Sequence, residues 1–304
     1  MLKLYACLVA LLLGVASSSA QLATTTAAAP ERYDQGRLGE GLLPLGDVFE
    51  PLWADPFWPL MSASYHRYVQ DDFLENVAAF TIGGTIPIYR WKDPAIPDLD
   101  WLEFALQTAV HSDFDQDRFS RDNFNNDFVF GGMLNARKGR WSGMFRLWHR
   151  SSHVGDEYLT NDSGVIREDF SYDRADLRLS YDVLGNAYID DHGLLRVYGG
   201  FGRALRRPSP PSYEFWHLQW GVEARAPIEL WDHWRPVASA DVQQQEGNGF
   251  KLDFNLRAGL QAENQKVHGR NIKFLAEFYN GKEPNGQFWE DDVLYVGFGM
   301  FVTL

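Results

Sequence analysis

One segment restricts the fold of this chain more than any other. Over residues 250–263 (FKLDFNLRAGLQAE), apolar and polar residues alternate for fourteen positions without a break. Side chains of a β-strand point alternately to opposite faces, so the segment predicts a strand with one apolar and one polar face. A strand in a globular sheet typically has about five or six residues, whereas about 9–11 are needed to cross a bilayer at a tilt. The length therefore favours a membrane-spanning strand over a strand of a soluble β-sandwich.

The same alternation recurs from about residue 60 to the end of the chain. Counting the segments predicts twelve strands, an even number that lets an antiparallel sheet close without free edges. The predicted strands lie near 61–69, 77–91, 101–111, 125–137, 140–153, 171–183, 194–205, 213–226, 235–245, 249–263, 271–281 and 290–304. We therefore predict an all-β protein, a closed antiparallel transmembrane β-barrel of about 12 strands. A β-sandwich or another exported β fold is the alternative.

The first twenty residues have the layout of a secretory signal peptide. Lys3 precedes an apolar run from Ala6 to Ala16, and small residues follow. We expect cleavage after Ala20, with an uncleaved anchor as the alternative. The only cysteine, Cys7, lies inside this segment, so the mature chain contains no disulfide.

The predicted organisation is a signal peptide at 1–20, an irregular N-terminal segment at 21–55 and a barrel at 56–304. We expect the chain to be exported to the bacterial outer membrane and to have outer-membrane lipids as partners. Its last strand is amphipathic up to Leu304, which resembles the signal read by the barrel-assembly machinery, a second expected partner. The net charge of −13 argues against nucleic acid as a partner.

A histidine and a serine interrupt the apolar face of the predicted strand at 140–153. Trp141, Phe145 and Leu147 share that face with His149 and Ser151. If the face contacts lipid, both polar side chains project outward near the strand end. One interpretation is a solvated strand end. The other is a lipid hydrolase, because a neutral histidine oriented by a third group can take the proton of a serine nucleophile.

Several residues are candidates for the remaining roles of such a site. His153 lies on the same face as Ser151 and could replace His149 as the base. The third group, which would orient the ring, has four candidates: Asp156, Glu157, Asp162 and Asp173.

His149-x-Ser151 resembles the motif of two outer-membrane hydrolase families, outer-membrane phospholipase A and the lipid A deacylase. Both carry His-x-Ser on an outward-facing barrel strand and hydrolyse acyl esters of membrane lipids. The resemblance implies His149 as general base and Ser151 as nucleophile. This chain departs from that motif at two positions. The asparagine that follows the serine in those enzymes is replaced by Ser152, and their third member, twelve residues beyond the serine, is replaced by Ser163.

A broader resemblance covers about residue 45 to the C-terminus. The segments FRLWHRSSHVGDEYL, YGGFGR and GQFWEDDVLYVGFGMFVTL are similar to the bacterial family catalogued as domain of unknown function 1207. Membership implies an outer-membrane barrel and brings no established activity.

Two further charge patterns have alternative interpretations. The segment 113–127 is rich in aspartate, but Arg118 and Phe124 occupy the positions where an EF-hand has glycine and glutamate. It is either a solvated loop or a loop that recruits divalent cations, with calcium the cofactor to consider. Four arginines are predicted to face the interior, where acidic side chains can neutralise them or the charges can line a pore: Arg146, Arg150, Arg174 and Arg178.

Three functions remain open on the sequence alone. The first is an outer-membrane barrel with a structural or surface role. The second is a lipid acyl-ester hydrolase that uses Ser151 and His149. The third is a small-solute channel, because rings of charge can set the selectivity of a pore.

Overall fold

The structure is a computed structural model that describes residues 38–70, 74–161, 170–185, 193–206, 208–213, 215–231, 233–263 and 270–303. The predicted signal peptide and the chain up to residue 37 lie outside these residues. Thirteen strands are described: β1 (Gly41–Leu42), β2 (Met61–Gln70), β3 (Asn76–Lys92), β4 (Trp101–Asp115), β5 (Asn123–Lys138), β6 (Trp141–His153), β7 (Phe170–Leu184), β8 (Leu194–Ala204), β9 (Trp216–Arg225), β10 (Trp234–Gln245), β11 (Asp253–Glu263), β12 (Asn271–Lys282) and β13 (Asp292–Thr303).

Strands β2 to β13 form the predicted twelve-stranded barrel. Each pairs antiparallel with its neighbours in the chain, and β13 closes the sheet by pairing with β2 from Val302↔Met61 to Leu294↔Gln70. The short β1 pairs with the end of β3 at Leu42↔Tyr89. One α-helix, α1 (Asp156–Asn161), is found in the described residues and lies between β6 and β7. No helix in the described part of the chain is long and apolar enough to span a membrane.

One predicted strand begins later than its alternation indicated. Residues 249–252 were included in the strand at 249–263, but β11 begins at Asp253. Gly249 and Phe250 have φ angles of 69° and 58°, so the chain turns there through left-handed conformations that no strand contains. A short 3₁₀ helix at Glu246–Asn248 leads into this turn.

The outer face of the barrel is apolar and has aromatic pairs at one end. Trp141 and Tyr181 lie 4.7 Å apart between ring centres, and Tyr89 and Trp91 lie equally close. Aromatic girdles of this kind mark the lipid–water boundary of outer-membrane barrels. This end carries the two-residue connection at 139–140 between β5 and β6, and we call it the short-turn end. The opposite end, with the sixteen-residue connection at 154–169, is the long-loop end.

The N-terminal segment lies inside the barrel. Residues 45–58, here called the plug, enter the lumen from the short-turn end, and the chain leaves it before β2. The backbone N–H of Trp53 donates to Glu223 Oε1 at 2.7 Å, and the Trp53 carbonyl accepts a hydrogen bond from Arg257 at 2.7 Å. Arg196 donates to the carbonyl of Glu50 at 3.2 Å. The plug therefore satisfies its backbone with charged side chains from the barrel wall.

Apolar side chains of the plug pack against apolar residues on the inner face. Leu275, an exception to the alternation of its strand, is buried beside Trp53 and Phe301. Met133 and Met144 are buried in a second cluster with Phe49 and other plug residues. The sequence interpretation described residues 21–55 as irregular and did not place any of them in the lumen. The apolar exceptions on otherwise polar inner faces were the available signal.

The inner face neutralises its arginines with acidic side chains, as one of the two sequence interpretations predicted. Arg146 donates to Asp176 Oδ2 at 2.5 Å, and Arg174 lies 2.8 Å from Asp176 Oδ1. Arg178 lies 3.9 Å from the same carboxylate, and Arg150 pairs with Asp127. Together with the plug, these ion pairs occupy part of the barrel interior, and a cavity of about 750 Å³ remains between the plug and the wall, lined by Asp55, Arg150 and Tyr279 among others.

Candidate functional site

A histidine–aspartate pair lies on the outer face of β6 and β7. His149 and Asp173 are directly opposite in the register of the two strands. The His149 Nδ1 atom is 3.0 Å from Asp173 Oδ1, and the two side chains are 49% and 35% exposed. A carboxylate at Nδ1 fixes the orientation of the ring and leaves Nε2 as the atom that faces a reacting group. Of the three sequence candidates for the third group that the structure describes, Asp173 is the one with this contact.

Ser151 follows on the same outer face of β6, two residues beyond His149. Its partner across the strand pair is Ser171, and its partner on β5 is Phe128. Neighbours on one face of a strand are about 7 Å apart at the backbone, a span that rotation of a histidine side chain can bridge. Among the described residues no hydrogen bond joins the two side chains. Contacts of this type often form only when substrate is bound.

The site lies at one boundary of the apolar band. Trp141, in the aromatic girdle of the short-turn end, is on the same strand, ten residues before Ser151. At about 3.3 Å per residue and a tilt of about 40°, ten residues rise by about 25 Å, the height of the apolar band of such barrels. His149 and Ser151 are therefore at the lipid–water boundary of the long-loop end.

The other sequence candidates lie elsewhere. The ring of His153 packs against Phe128, with ring centres 5.8 Å apart, and makes no described polar contact. Asp156 and Glu157 are exposed in the first turn of α1, and neither has a described contact with His149. Asp162 lies outside the described residues, as does Ser163.

The aspartate-rich segment at 113–127 is used within the protein. Asp117 accepts hydrogen bonds from the backbone and the side chain of Asn76 at 2.8 Å, and Asp115 pairs with Arg118 at 3.3 Å. Asp113 accepts from Asn125 at 3.4 Å. Within the described residues, no three histidine, cysteine or acidic side chains are arranged to hold a metal ion. The recruitment of calcium by this loop stays a prediction.

The model of the family described as "Protein of unknown function (DUF1207)" matches residues 16–303 of this chain. The chain belongs to the DUF1207 family. This confirms the broader resemblance found in the sequence. No match was found among the curated proteins.

Solved structures similar to this DUF1207 protein are outer-membrane barrels. Outer membrane phospholipase A from Escherichia coli aligns with a TM-score of 0.51 and 14% identity, over 83% of this chain and 93% of that chain. The translocator domain of the autotransporter NalP from Neisseria meningitidis has a TM-score of 0.43 and 11% identity, over 80% and 86%. The KdgM porin has a TM-score of 0.38 and 12% identity, over 79% and 98%. At these identities the phospholipase likeness concerns the fold alone.

Proposed function

We propose that this protein is an outer-membrane hydrolase that cleaves acyl esters of membrane lipids. The hydrogen bond between His149 Nδ1 and Asp173 Oδ1, with Ser151 next on the same lipid-facing surface, carries the proposal. Polar side chains at the end of a barrel strand need no partner other than water. A carboxylate that orients a histidine beside a serine is the arrangement of a serine hydrolase.

The reaction uses protein groups and water. Ser151 Oγ attacks the acyl carbonyl carbon while His149 Nε2 takes the hydroxyl proton, and Asp173 stabilises the imidazolium ion that forms. The proton then passes to the leaving alcohol as the ester C–O bond breaks. Water, deprotonated by His149, hydrolyses the acyl-serine and releases a fatty acid, and the proton returns to Ser151.

The position of the site matches this substrate class. The outer face below Ser151 is apolar, with Phe128, Phe130 and Leu147 exposed to the surroundings of the barrel. An ester of a membrane lipid lies at the boundary between acyl chains and headgroups, about where Ser151 is. The outer-membrane phospholipase A of Escherichia coli, similar in fold, is by its name a phospholipase.

The test is fatty-acid release by the refolded full-length barrel from phospholipid and from lipopolysaccharide. We expect release by the wild-type protein and its loss in Ser151→Ala. Ser171→Ala is the matched control, because Ser171 lies directly across from Ser151 on the same outer face, and it should retain release. If the folded wild-type barrel releases no fatty acid from either lipid, the proposal is overturned, and the structural or surface role predicted from sequence takes its place.

A further inference from the structure

Two arginines lie beside the histidine–aspartate pair on the outer surface. The Nε atom of Arg206 is 3.4 Å from Asp173 Oδ2, the oxygen that does not contact His149, and 85% of the Arg206 side chain is exposed. Arg203 projects outward from β8, opposite Ala175 of β7 in the strand register. Ala175 is two residues beyond Asp173 on the same face. Both guanidinium groups are therefore on the side of the site that β8 forms.

Arg203 is held by aromatic rings and not by a carboxylate. Its guanidinium lies 5.5 Å from the ring centres of both Phe215 and Trp216. Among the described residues it has no acidic partner, although the chain has 41 acidic residues against 28 lysines and arginines. Aromatic contacts orient a guanidinium by its faces and leave its N–H groups free to bind an anion.

The spacing between these arginines and Ser151 suits one lipid molecule. Strands are about 4.8 Å apart and β7 alone separates β6 from β8, so the two strands are about 10 Å apart across the sheet. Arg206 contacts Asp173, which is level with His149, whereas Arg203 is level with Leu147, four residues before Ser151, which adds about 13 Å along the strand. Arginine side chains that bend toward the boundary shorten this distance. The phosphate and the nearest acyl ester of a lipid headgroup are also within about this distance of one another.

We propose that Arg203 and Arg206 bind the phosphate of a membrane lipid and thereby hold its acyl ester over Ser151. The inference rests on the proposed function and adds the substrate class, a phosphate-bearing acylated lipid in place of a neutral acylglycerol. Guanidinium groups bind phosphate oxygens through paired, charge-assisted hydrogen bonds. Phosphate binding therefore explains these exposed arginines better than an ion pair with a carboxylate in water does. Phospholipid and lipopolysaccharide both carry such a phosphate.

The first experiment compares two substrates with the full-length barrel in detergent micelles: a phospholipid and a neutral diacylglycerol with the same chains. We expect the ratio of kcat/KM for phospholipid to kcat/KM for diacylglycerol to fall about 30-fold in the double variant R203Q/R206Q, mainly through KM. Arg121→Gln is the control, since Arg121 is another exposed arginine at the long-loop end. It should leave the ratio at the wild-type value. An unchanged ratio in the double variant, with both lipids cleaved, would overturn the phosphate site and leave the hydrolase intact.

The second experiment does not depend on catalysis. Retention of phospholipid, of lipopolysaccharide and of diacylglycerol on Ser151→Ala protein is measured by native mass spectrometry, with and without R203Q/R206Q. Preferential loss of the phosphate-bearing lipids from the double variant supports the site. Comparing phospholipid with lipopolysaccharide then identifies which of the two lipids supplies the bound phosphate. Equal retention overturns the site even if the wild-type barrel proves inactive. Competition by inorganic phosphate at equal strength for all three lipids would also overturn it.

Discussion

The two faces of the β6–β7 strand pair use charged side chains in different ways. On the inner face, Asp176 is fully buried, forms ion pairs with Arg146 and Arg174, and accepts a hydrogen bond from the indole N–H of Trp148. On the outer face, Asp173 contacts His149 and Arg206 and is about one-third exposed. The inner carboxylate is surrounded by cations that compensate for its burial. The outer carboxylate has no such need, because water reaches it.

This difference separates structural charges from candidate functional ones. A buried ion has to be paired to avoid a large desolvation cost, so an ion pair inside the barrel is explained by folding alone. A polar cluster on a lipid-facing strand gains little stability from its contacts. The inner pairs therefore concern the stability of the barrel, whereas the outer cluster is better explained by chemistry at the membrane boundary.

The largest effect is expected for Asp176→Ala. The change leaves Arg146 and Arg174 buried without their carboxylate, so the free energy of unfolding should fall by about 3–5 kcal/mol. Urea unfolding of the barrel in micelles, followed by tryptophan fluorescence, measures it. The control is Asp173→Ala on the outer face of the same strand, expected to cost about 1 kcal/mol or less. Equal losses in the two variants would contradict the distinction between the faces.

The second prediction concerns activity instead of stability, and here the large effect is expected for the outer carboxylate, Asp173. Asp173→Asn should lower kcat/KM for lipid hydrolysis about 100-fold, because an amide cannot stabilise the imidazolium ion as a carboxylate does. The free energy of unfolding should change little. Asp156→Asn in helix α1 is the control and should retain wild-type activity. If Asp156→Asn were the variant that lost activity, α1 and not β7 would supply the third member.

The sequence predicted the wall of the molecule far better than its interior. Alternation determines which side chains face outward, so twelve strands and the outward positions of His149 and Ser151 followed from local pattern alone. The plug did not, because residues such as Leu52 and Trp53 have no periodicity, and the hydrogen-bond partners of Trp53 are 170 and 204 positions away in the chain. Asp173 could be named as a candidate but not chosen, since the register between β6 and β7 decides its contact.

A third prediction concerns the plug, through the apolar exception on β12. Leu275→Ala removes packing against Trp53 and should weaken plug docking by about 2 kcal/mol, the low end for such a change because the plug segment can relax. Hydrogen exchange at the Trp53 amide, which donates to Glu223, should then be up to about 30-fold faster. Leu177→Ala on the outer face is the control and should leave that amide protected. Unchanged exchange in Leu275→Ala would show that polar contacts alone hold the plug.

The smallest effect is a dependence of plug docking on pH. Burial, and next the neighbouring Glu103 carboxylate, raise the pKa of Asp47 well above its usual range. Asp47 keeps its proton in the docked plug and loses it more easily when undocked. Docking is therefore strongest at low pH and weakens as pH rises from the ordinary aspartate pKa through the raised value. Exchange at the Val48 amide, which donates to Glu103 at 3.2 Å, should accelerate over that range after correction for intrinsic rates. Asp47→Asn should remove the acceleration, and its persistence in that variant would assign the effect to another plug carboxylate.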